Sequence, residues 1–268
     1  MPKRLLYIAF ACLLLVSLPI SGAAQEIVSN EATTEQVAKM RFIATYNQSF
    51  NHGLGMSIEE EIRTCLGGTS PAAFTRSHTT LSFDYEPIPY LNIAVGYTLK
   101  IYGDKGWSNP DKYLRHRAFL NLTGKMPINR WELSLRERLL MDCRTDSVNP
   151  DATNAIDMTM RHRIQATYSM AAQPLRFHIS IEFANTLNAP TEYVNRCNTA
   201  PYRQYLTHIR PEIGLRWRIN QSNSLSLAYR FDYGYKRDLN ILQPSGDVEM
   251  THAYKYNHLL ILTYQFSR

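Results

Sequence analysis

Apolar and polar residues alternate with a period of two along much of the chain. In the clearest run, NSLSLAYRFDYGYK at 223–236, leucines and aromatic residues take every second position, and small or charged residues such as Arg230 and Asp232 lie between them. This period predicts a β-strand whose two faces meet different environments. Large apolar groups on one face and charges on the other are typical of membrane barrels, whose strands turn apolar residues to lipid and polar residues to the lumen.

Similar alternating segments recur along the chain. Two kinds of connection separate them in strict alternation: short turns such as EPIP and NQS, and longer polar stretches. Short connections on one side and long ones on the other are typical of up-and-down barrels, and of bacterial outer-membrane barrels in particular. The segments lie at about 40–49, 54–64, 73–86, 90–102, 113–125, 130–143, 157–170, 174–186, 205–218, 223–237 and 254–267.

The pattern therefore predicts an all-β protein, a single transmembrane antiparallel up-and-down β-barrel of 10–12 strands. Eleven segments are visible, whereas single-chain bacterial barrels have even numbers of strands, so we expect one assignment to be wrong. Either ten strands begin near Leu54, or a strand before Met40 is missed and there are twelve. Aromatic residues near the short turns are expected to form a periplasmic girdle: Tyr85, Trp131, Tyr168, Trp217 and Phe266.

The beginning of the chain is typical of a secretory signal peptide. Two basic residues precede the apolar run LLYIAFACLLLVSLPI, and the small residues of SGAAQ place cleavage after Ala24. We expect a signal peptide over 1–24, a disordered or helical N-terminal arm over 25–39 and an outer-membrane barrel over 40–268. Removing the two basic residues of the signal lowers the formal net charge from +6 to +4, which does not suggest a nucleic acid partner.

Six segments share arginine-rich strand patterns: IEEEIRT, RHRAFLNL, WELSLRERLL, MRHRIQATY, FHISIEFANTL and HLLILTYQFSR. They resemble a family of uncharacterised Gram-negative outer-membrane barrels, the domain of unknown function twenty-four ninety. The resemblance covers nearly the whole mature chain. It implies the barrel fold and an outer-membrane location, with outer-membrane lipid, lipopolysaccharide and the barrel-assembly machinery as partners, and it implies no activity.

Charged residues on the polar face of the segments are expected to point into the lumen. If NQS forms a three-residue turn, Arg210 lies opposite Asp232 and Glu212 lies opposite Arg230. Cross-strand pairs of opposite charge stabilise by about 0.2–1 kcal/mol each, so these residues predict a ladder of ion pairs. The whole set is Glu59, Glu61, Arg63, Lys100, Arg115, Arg117, Glu132, Arg136, Arg138, Arg161, Arg163, Glu182, Arg210, Glu212, Arg216, Arg230 and Asp232.

Six of these arginines fall on three consecutive segments and form a predicted basic wall. Clustered like charges repel unless something neutralises them. Two interpretations stay open: the wall attracts a small anionic solute through an open lumen, or carboxylates neutralise it in a closed lumen, Glu59 and Glu61 by reaching across and Glu182 from nearby. The basic wall comprises Arg115, Arg117, Arg136, Arg138, Arg161 and Arg163.

Three polar residues, His116, Glu137 and His162, interrupt the opposite, apolar face on the same three segments. We expect them to be neighbours near the outer end of the apolar band. One interpretation is contact with lipopolysaccharide head groups, and the other is that the band ends there and the residues are solvated. No obvious nucleophile shares that face, which disfavours a lipid-modifying site.

The triplet HIS at 178–180 resembles the His-x-Ser pairing of outer-membrane phospholipases. Alternation with Phe177 and Ile179 turns His178 and Ser180 inward, away from lipid, so we expect a lumen hydrogen-bonding pair and no catalytic role.

The mature sequence contains neither metal-ligand spacing nor a glycine-rich phosphate loop. We therefore expect neither a metal nor another cofactor. Cys65, Cys143 and Cys197 permit one disulfide and leave one thiol, and the sequence leaves the pairing open. The sequence thus predicts a non-enzymatic outer-membrane barrel with a charged, ion-paired lumen and a structural or narrow-pore role; the alternative is a lipid- or lipopolysaccharide-modifying hydrolase.

Overall fold

Eleven β-strands and one three-residue 3-10 turn make up the described part of the chain in the computed structural model. The described residues are 29–66, 74–103, 114–143, 156–187, 205–241 and 248–268. The strands are β1 Ser29–Ser49, β2 Leu54–Cys65, β3 Phe74–Ile88, β4 Leu91–Tyr102, β5 Leu114–Ile128, β6 Trp131–Cys143, β7 Ile156–Ser169, β8 Leu175–Thr186, β9 Tyr205–Arg218, β10 Asn223–Ile241 and β11 Val248–Ser267.

The strands form one closed barrel in chain order, which confirms the predicted all-β barrel. Each strand from β1 to β11 pairs antiparallel with the next, and β1 closes the barrel by pairing in parallel with β11. The expected even number is therefore wrong, and all eleven segments are strands. An odd number is accommodated because the first and last strands then run in the same direction and use the slanted hydrogen bonds of a parallel ladder.

Strand β1 is longer than the sequence predicts. It begins at Ser29, so residues 29–39, which we placed in an N-terminal arm, lie in the sheet. Pairing with β11 runs from Ser29 opposite Met250 to Asn47 opposite Ser267. The polar stretch EATTEQVAK lacks the alternation of the other strands, and the sequence therefore did not predict it. It can still form a strand, because backbone pairing with a neighbouring strand does not require an apolar face. The predicted signal peptide lies outside the described residues.

Burial follows the alternation, with the apolar face turned outward. On β4, Val95 and Tyr97 are 51% and 45% exposed, whereas Thr98 and Lys100, which have the opposite parity, are 6% and 4% exposed. A soluble protein buries its apolar side chains, so this arrangement is inverted. This polarity fixes the register of the strands, because a slip of one residue would turn every lumen charge of a strand to the outside.

The two ends of the barrel differ in the length of their connections. The short-turn end carries connections 50–53, 89–90, 129–130, 170–174 and 219–222, and the long-connection end carries the rest. Aromatic pairs lie near the short-turn end: Trp131 contacts Tyr168 with ring centroids 4.9 Å apart, and Tyr46 stacks on Phe266 at 5.8 Å. The second pair joins β1 to β11.

The described residues contain no helix long and apolar enough to span a membrane. Cys65 and Cys143 are not joined by a disulfide. Cys197 lies outside the described residues.

The parallel closure can be tested by crosslinking. Phe42 on β1 is directly opposite Leu262 on β11, and neighbouring strands lie about 4.8 Å apart. Cysteines at these two positions, in a background whose natural cysteines are serine, are expected to form a disulfide under mild oxidation, seen as a mobility shift that a reductant reverses.

The matched control pairs cysteine 42 with a cysteine replacing Leu227 on β10, which lies opposite Leu262 on its other side. Two strand spacings separate these positions, about 10 Å, which exceeds the roughly 7 Å limit for a disulfide. Equal crosslinking of both pairs, or none in the first, would show that β1 does not close the barrel.

Candidate functional site

Buried ion pairs fill the lumen. Nine basic side chains share five carboxylates, and we call this set the lumen network. Burying a charge is costly unless it is paired and hydrogen-bonded, so these contacts decide whether the lumen is stable. The lumen network comprises Arg41, Arg63, Lys100, Arg117, Arg136, Arg161, Arg163, Arg210 and Arg230 with Glu61, Asp142, Glu182, Glu212 and Asp232.

Glu182 is the centre of the lumen network. It lies on β8, points inward and is only 5% exposed. Its carboxylate accepts hydrogen bonds from Arg136 Nη2 at 2.8 Å and Arg210 Nη1 at 3.0 Å, and Arg161 Nη1 lies 3.8 Å away. The three arginines come from β6, β9 and β7. One carboxylate therefore ties four strands together across the lumen.

Glu212 on β9 has a similar role nearer the short-turn end. Arg163 Nη2 donates to it at 2.7 Å and Arg230 Nε at 2.6 Å, and His178 Nε2 lies 3.2 Å from the same carboxylate. Each of the two Glu212 oxygens thus has an arginine donor. Strands β7, β8 and β10 all reach this residue.

Both ion pairs predicted from the NQS turn are present. Arg230 is opposite Glu212 in the β9–β10 ladder. Arg210 Nε donates to Asp232 Oδ1 at 2.9 Å, and His208 Nδ1 lies 2.8 Å from the same oxygen. Arg210 also binds Glu182, so the ladder is continuous with the centre of the lumen network.

Of the carboxylates expected to neutralise the basic wall, Glu182 makes ion pairs with it, whereas among the described residues Glu59 and Glu61 do not. Glu61 binds its neighbours on β1 to β3 instead of reaching across the lumen: it pairs with Arg63, and Arg41 Nε lies 3.5 Å away. Within the described part of the chain, Glu59 makes no ion pair. Shorter paths exist, because Glu182 on β8 and Glu212 on β9 lie one and two strands beyond the wall, so that each reaches wall arginines only one or two strands away.

Asp142 neutralises the edge of the wall, and the sequence analysis missed it. It accepts from Arg117 Nε at 2.9 Å and Nη2 at 2.6 Å, the bidentate geometry of a strong charge-assisted pair, and it also binds Lys100. Its inward position was predictable from the sequence, because Asp142 has the same parity on β6 as Arg136 and Arg138. The apolar run LLM before it hid that parity.

Apolar side chains also point into the lumen. Ala228, Leu259 and Ile261 form one buried cluster on β10 and β11, and two more inward apolar residues lie on β5 and β6. Phe119 on β5 and Leu140 on β6 are directly opposite each other and are 7% and 1% exposed. The Phe119 ring packs over Gly96, where any side chain would clash with it. Arg138 stacks on the Phe119 ring, with its guanidinium carbon 5.1 Å from the ring centre. Its Nε–H donates to the side-chain oxygen of Asn121 at 2.6 Å.

The remaining members of the predicted lumen set also occupy inward positions. Arg115 is opposite Lys100, and Glu132 and Arg216 lie toward the short-turn end. His178 and Ser180 both point inward but do not form the expected pair. His178 lies beside Glu212, and the Ser180 hydroxyl accepts from Arg163 Nε at 3.2 Å.

The outer-face residues form a pair and not a row of three. Glu137 is opposite His162 and bonded to it, but the β5 residue opposite Glu137 is Leu122. His116 lies farther along β5 and bonds Tyr97. The register of the β5–β6 hairpin explains the difference, because it places His116 opposite Cys143, six residues along β6 from Glu137.

Glu137 and His162 are also neither solvated nor available for head-group contact as expected. They are 5% and 6% exposed. They lie near the middle of β6 and β7. Asn185 Nδ2 lies 3.5 Å from the other ring nitrogen of His162.

No three His, Cys, Asp or Glu side chains come together as metal ligands within the described strands. The arrangement offers instead a dense set of guanidinium donors with fewer carboxylates, which binds anionic groups better than cations.

The fold and its lumen define a closed β-barrel with an apolar exterior and an ionic interior. The family model described as Protein of unknown function (DUF2490) matches residues 40–242, and the chain belongs to this family. No curated protein sequence matches the chain.

The contribution of Glu182 to the stability of the barrel can be measured with the substitution Glu182→Gln. The amide keeps the shape but removes the charge that three arginines share, and breaking a buried pair in this way costs about 3–5 kcal/mol. We expect the free energy of unfolding in detergent to fall by that amount, measured by denaturant titration. The control is Glu86→Gln, whose carboxylate lies 3.4 Å from Lys125 and is 38% exposed, and where about 0–1 kcal/mol is expected. Equal losses in both variants would contradict the central role of Glu182.

Proposed function

We propose that the protein is an outer-membrane β-barrel, exported with a cleaved signal peptide, that has a structural or narrow-pore role and no enzymatic activity. The observation that carries this proposal is the inversion of polarity around a closed sheet. Soluble proteins rarely expose apolar patches larger than a few hundred Å². Here the exposed face includes Ile179 and Ile213, at 59% and 60% exposure, on adjacent strands.

A membrane also accounts for the closure. Lipid leaves no water to hydrogen-bond an open sheet edge, so only helices and closed barrels span it. The aromatic side chains at the short-turn end suit a membrane interface, where amphipathic rings are enriched. We assign that end to the periplasm, because outer-membrane barrels have short periplasmic turns and long outer loops.

The lumen network favours a filled lumen. Barrels of eight strands are filled by side chains, and those of sixteen hold an aqueous channel. In this barrel of eleven strands, ion pairs bridge strands that are not neighbours, as between Arg136 on β6 and Glu182 on β8. Phe119 and Leu140 occupy further space. Any residual path is lined by more basic than acidic groups and so favours small anions.

The position of the polar groups supports a non-enzymatic role. His178 and Ser180 point into the lumen and have separate charged partners. On the outer face, Glu137 and His162 are bonded to each other, and among the described residues no serine hydroxyl bonds either of them. Acyl transfer requires a nucleophile within hydrogen-bond reach of its base, so a lipid hydrolase is disfavoured.

Location is tested by fractionation of the native host and by gel mobility. The protein is expected in the outer-membrane fraction, and unboiled samples in mild detergent are expected to migrate differently from boiled ones, because a closed barrel resists unfolding. Recovery from the soluble periplasmic fraction with a single mobility would contradict the proposal.

Conductance of purified protein in planar bilayers tests the filled lumen. We expect no large, steady current from the wild-type protein. Phe119→Ala with Leu140→Ala shortens two apolar lumen side chains that lie opposite each other and is expected to raise conductance, with a preference for anions that weakens as salt screens charges over about 8 Å.

The matched control is Leu120→Ala with Leu139→Ala. These residues are also opposite each other on β5 and β6 but have the outward parity. The same number of side chains is shortened, so an equal conductance change in both double variants would indicate general loosening of the barrel. Large anion-selective currents from the wild-type protein would make it a porin.

A further inference from the structure

Three arginines line one side of the inner wall of the barrel at the short-turn end, away from the lumen network. Arg176 is the second residue of β8 and lies directly opposite Arg216 on β9, and Arg218 is the last residue of β9. All three have the inward parity and all are exposed. We call this set the mouth arginines.

The mouth arginines have no acidic partner among the described residues. Arg216 donates Nε to Ser226 at 3.2 Å, and the side chains of Arg176 and Arg218 make neither a hydrogen bond nor an ion pair in this part of the chain. Like charges directly opposite each other on neighbouring strands are destabilising. In the lumen network, by contrast, every arginine has a carboxylate. The repulsion at the mouth is therefore uncompensated by the described protein groups.

A cavity of about 140 Å³ lies between the mouth arginines. Asn220, Asn223 and Ser224 are among the polar residues that also line it. One water needs only roughly 10–15 Å³ of such space, so the cavity admits a group of several non-hydrogen atoms. Hydroxyl and amide groups beside guanidinium forks offer donors of different reach to the same occupant.

The rim of the cavity is fixed before any ligand arrives. The Asn220 side-chain oxygen accepts from the backbone N–H groups of Ser222 at 2.9 Å and Asn223 at 2.8 Å, which locks the turn between β9 and β10. The Arg218 backbone N–H is bonded to the Pro174 carbonyl at 2.8 Å, which joins this turn to the start of β8. A preformed site loses less conformational entropy on binding.

We propose that the mouth arginines form a binding site for phosphate, either free or as the phosphomonoester group of a larger molecule. Guanidinium groups bind phosphate oxygens bidentately through pairs of N–H donors. Three uncompensated positive charges favour a dianion over a monoanion. The site lies wholly within the described short-turn end and requires neither a membrane nor a particular state of the lumen.

Calorimetric titration of the full-length protein in neutral detergent with inorganic phosphate tests the site, with sodium chloride at equal ionic strength as the reference. We expect saturable one-site binding of phosphate and none of chloride. Arg176→Gln and Arg218→Gln each remove a charged donor and are expected to weaken phosphate binding about tenfold or more. The matched control is Arg130→Gln, an exposed arginine in the β5–β6 turn at the same end, with unchanged affinity.

Thermal unfolding without phosphate provides an independent readout of opposite sign. Arg176→Gln relieves the repulsion with Arg216, so the variant is expected to unfold at a temperature equal to or above that of the wild type, while phosphate no longer raises it. A variant that unfolds earlier and still responds to phosphate would indicate a structural role for Arg176 and overturn the proposal.

Mixed micelles containing phosphatidic acid distinguish the source of the phosphate. Binding of inorganic phosphate indicates a free anion site, and binding of phosphatidic acid alone indicates a head-group site. If neither ligand binds, or if Arg130→Gln weakens binding as much as the mouth variants, the proposal is wrong.

Discussion

The structure depends on the requirement that the basic groups of the lumen network meet carboxylates there. Backbone pairing closes the sheet but accepts many registers, whereas buried guanidiniums do not. Glu182 satisfies this requirement for Arg136, Arg161 and Arg210 at once. Four strands must be in register for that set of contacts to exist. The charged interior is thus the part of the sequence that specifies a unique arrangement of an otherwise repetitive sheet.

The excess of basic over acidic groups has a further physical effect. Within the lumen network each carboxylate except Asp232 is shared by at least two arginines or lysines. Sharing lets a few acids hold many strands together, but it leaves the interior positive. Loss of a carboxylate is therefore more damaging than loss of one arginine, since the acid has several partners and each arginine has neighbours that can replace it.

Local patterns in the sequence predicted most of the fold. The alternation located β2 to β11, and the short NQS turn fixed the register of β9 against β10, so the pairing of Glu212 with Arg230 followed from counting. Short turns leave little freedom in register, and this is why counting succeeded there.

Contacts between residues distant in sequence were not predictable in the same way. The pairing of Ser29 with Met250 has no local signal, because β1 is polar where it meets β11. The partners of Glu61 were missed because the sequence does not show which carboxylates lie nearest to the basic wall in three dimensions. Phe119 was also missed as a lumen residue, because a large aromatic side chain looks outward by composition, and only Gly96 opposite it provides the space.

The seam between β1 and β11 joins residues more than 200 positions apart, such as Gln36 and His258. Loop-closure entropy rises with the length of chain enclosed, and non-local contacts of this kind slow folding. Until β11 is in place, both β1 and β10 present open edges to which another chain can add a strand. Of the described strands, the one synthesised last is consequently the one that protects two others, and the interval before it docks is when an unfinished barrel is most exposed to aggregation.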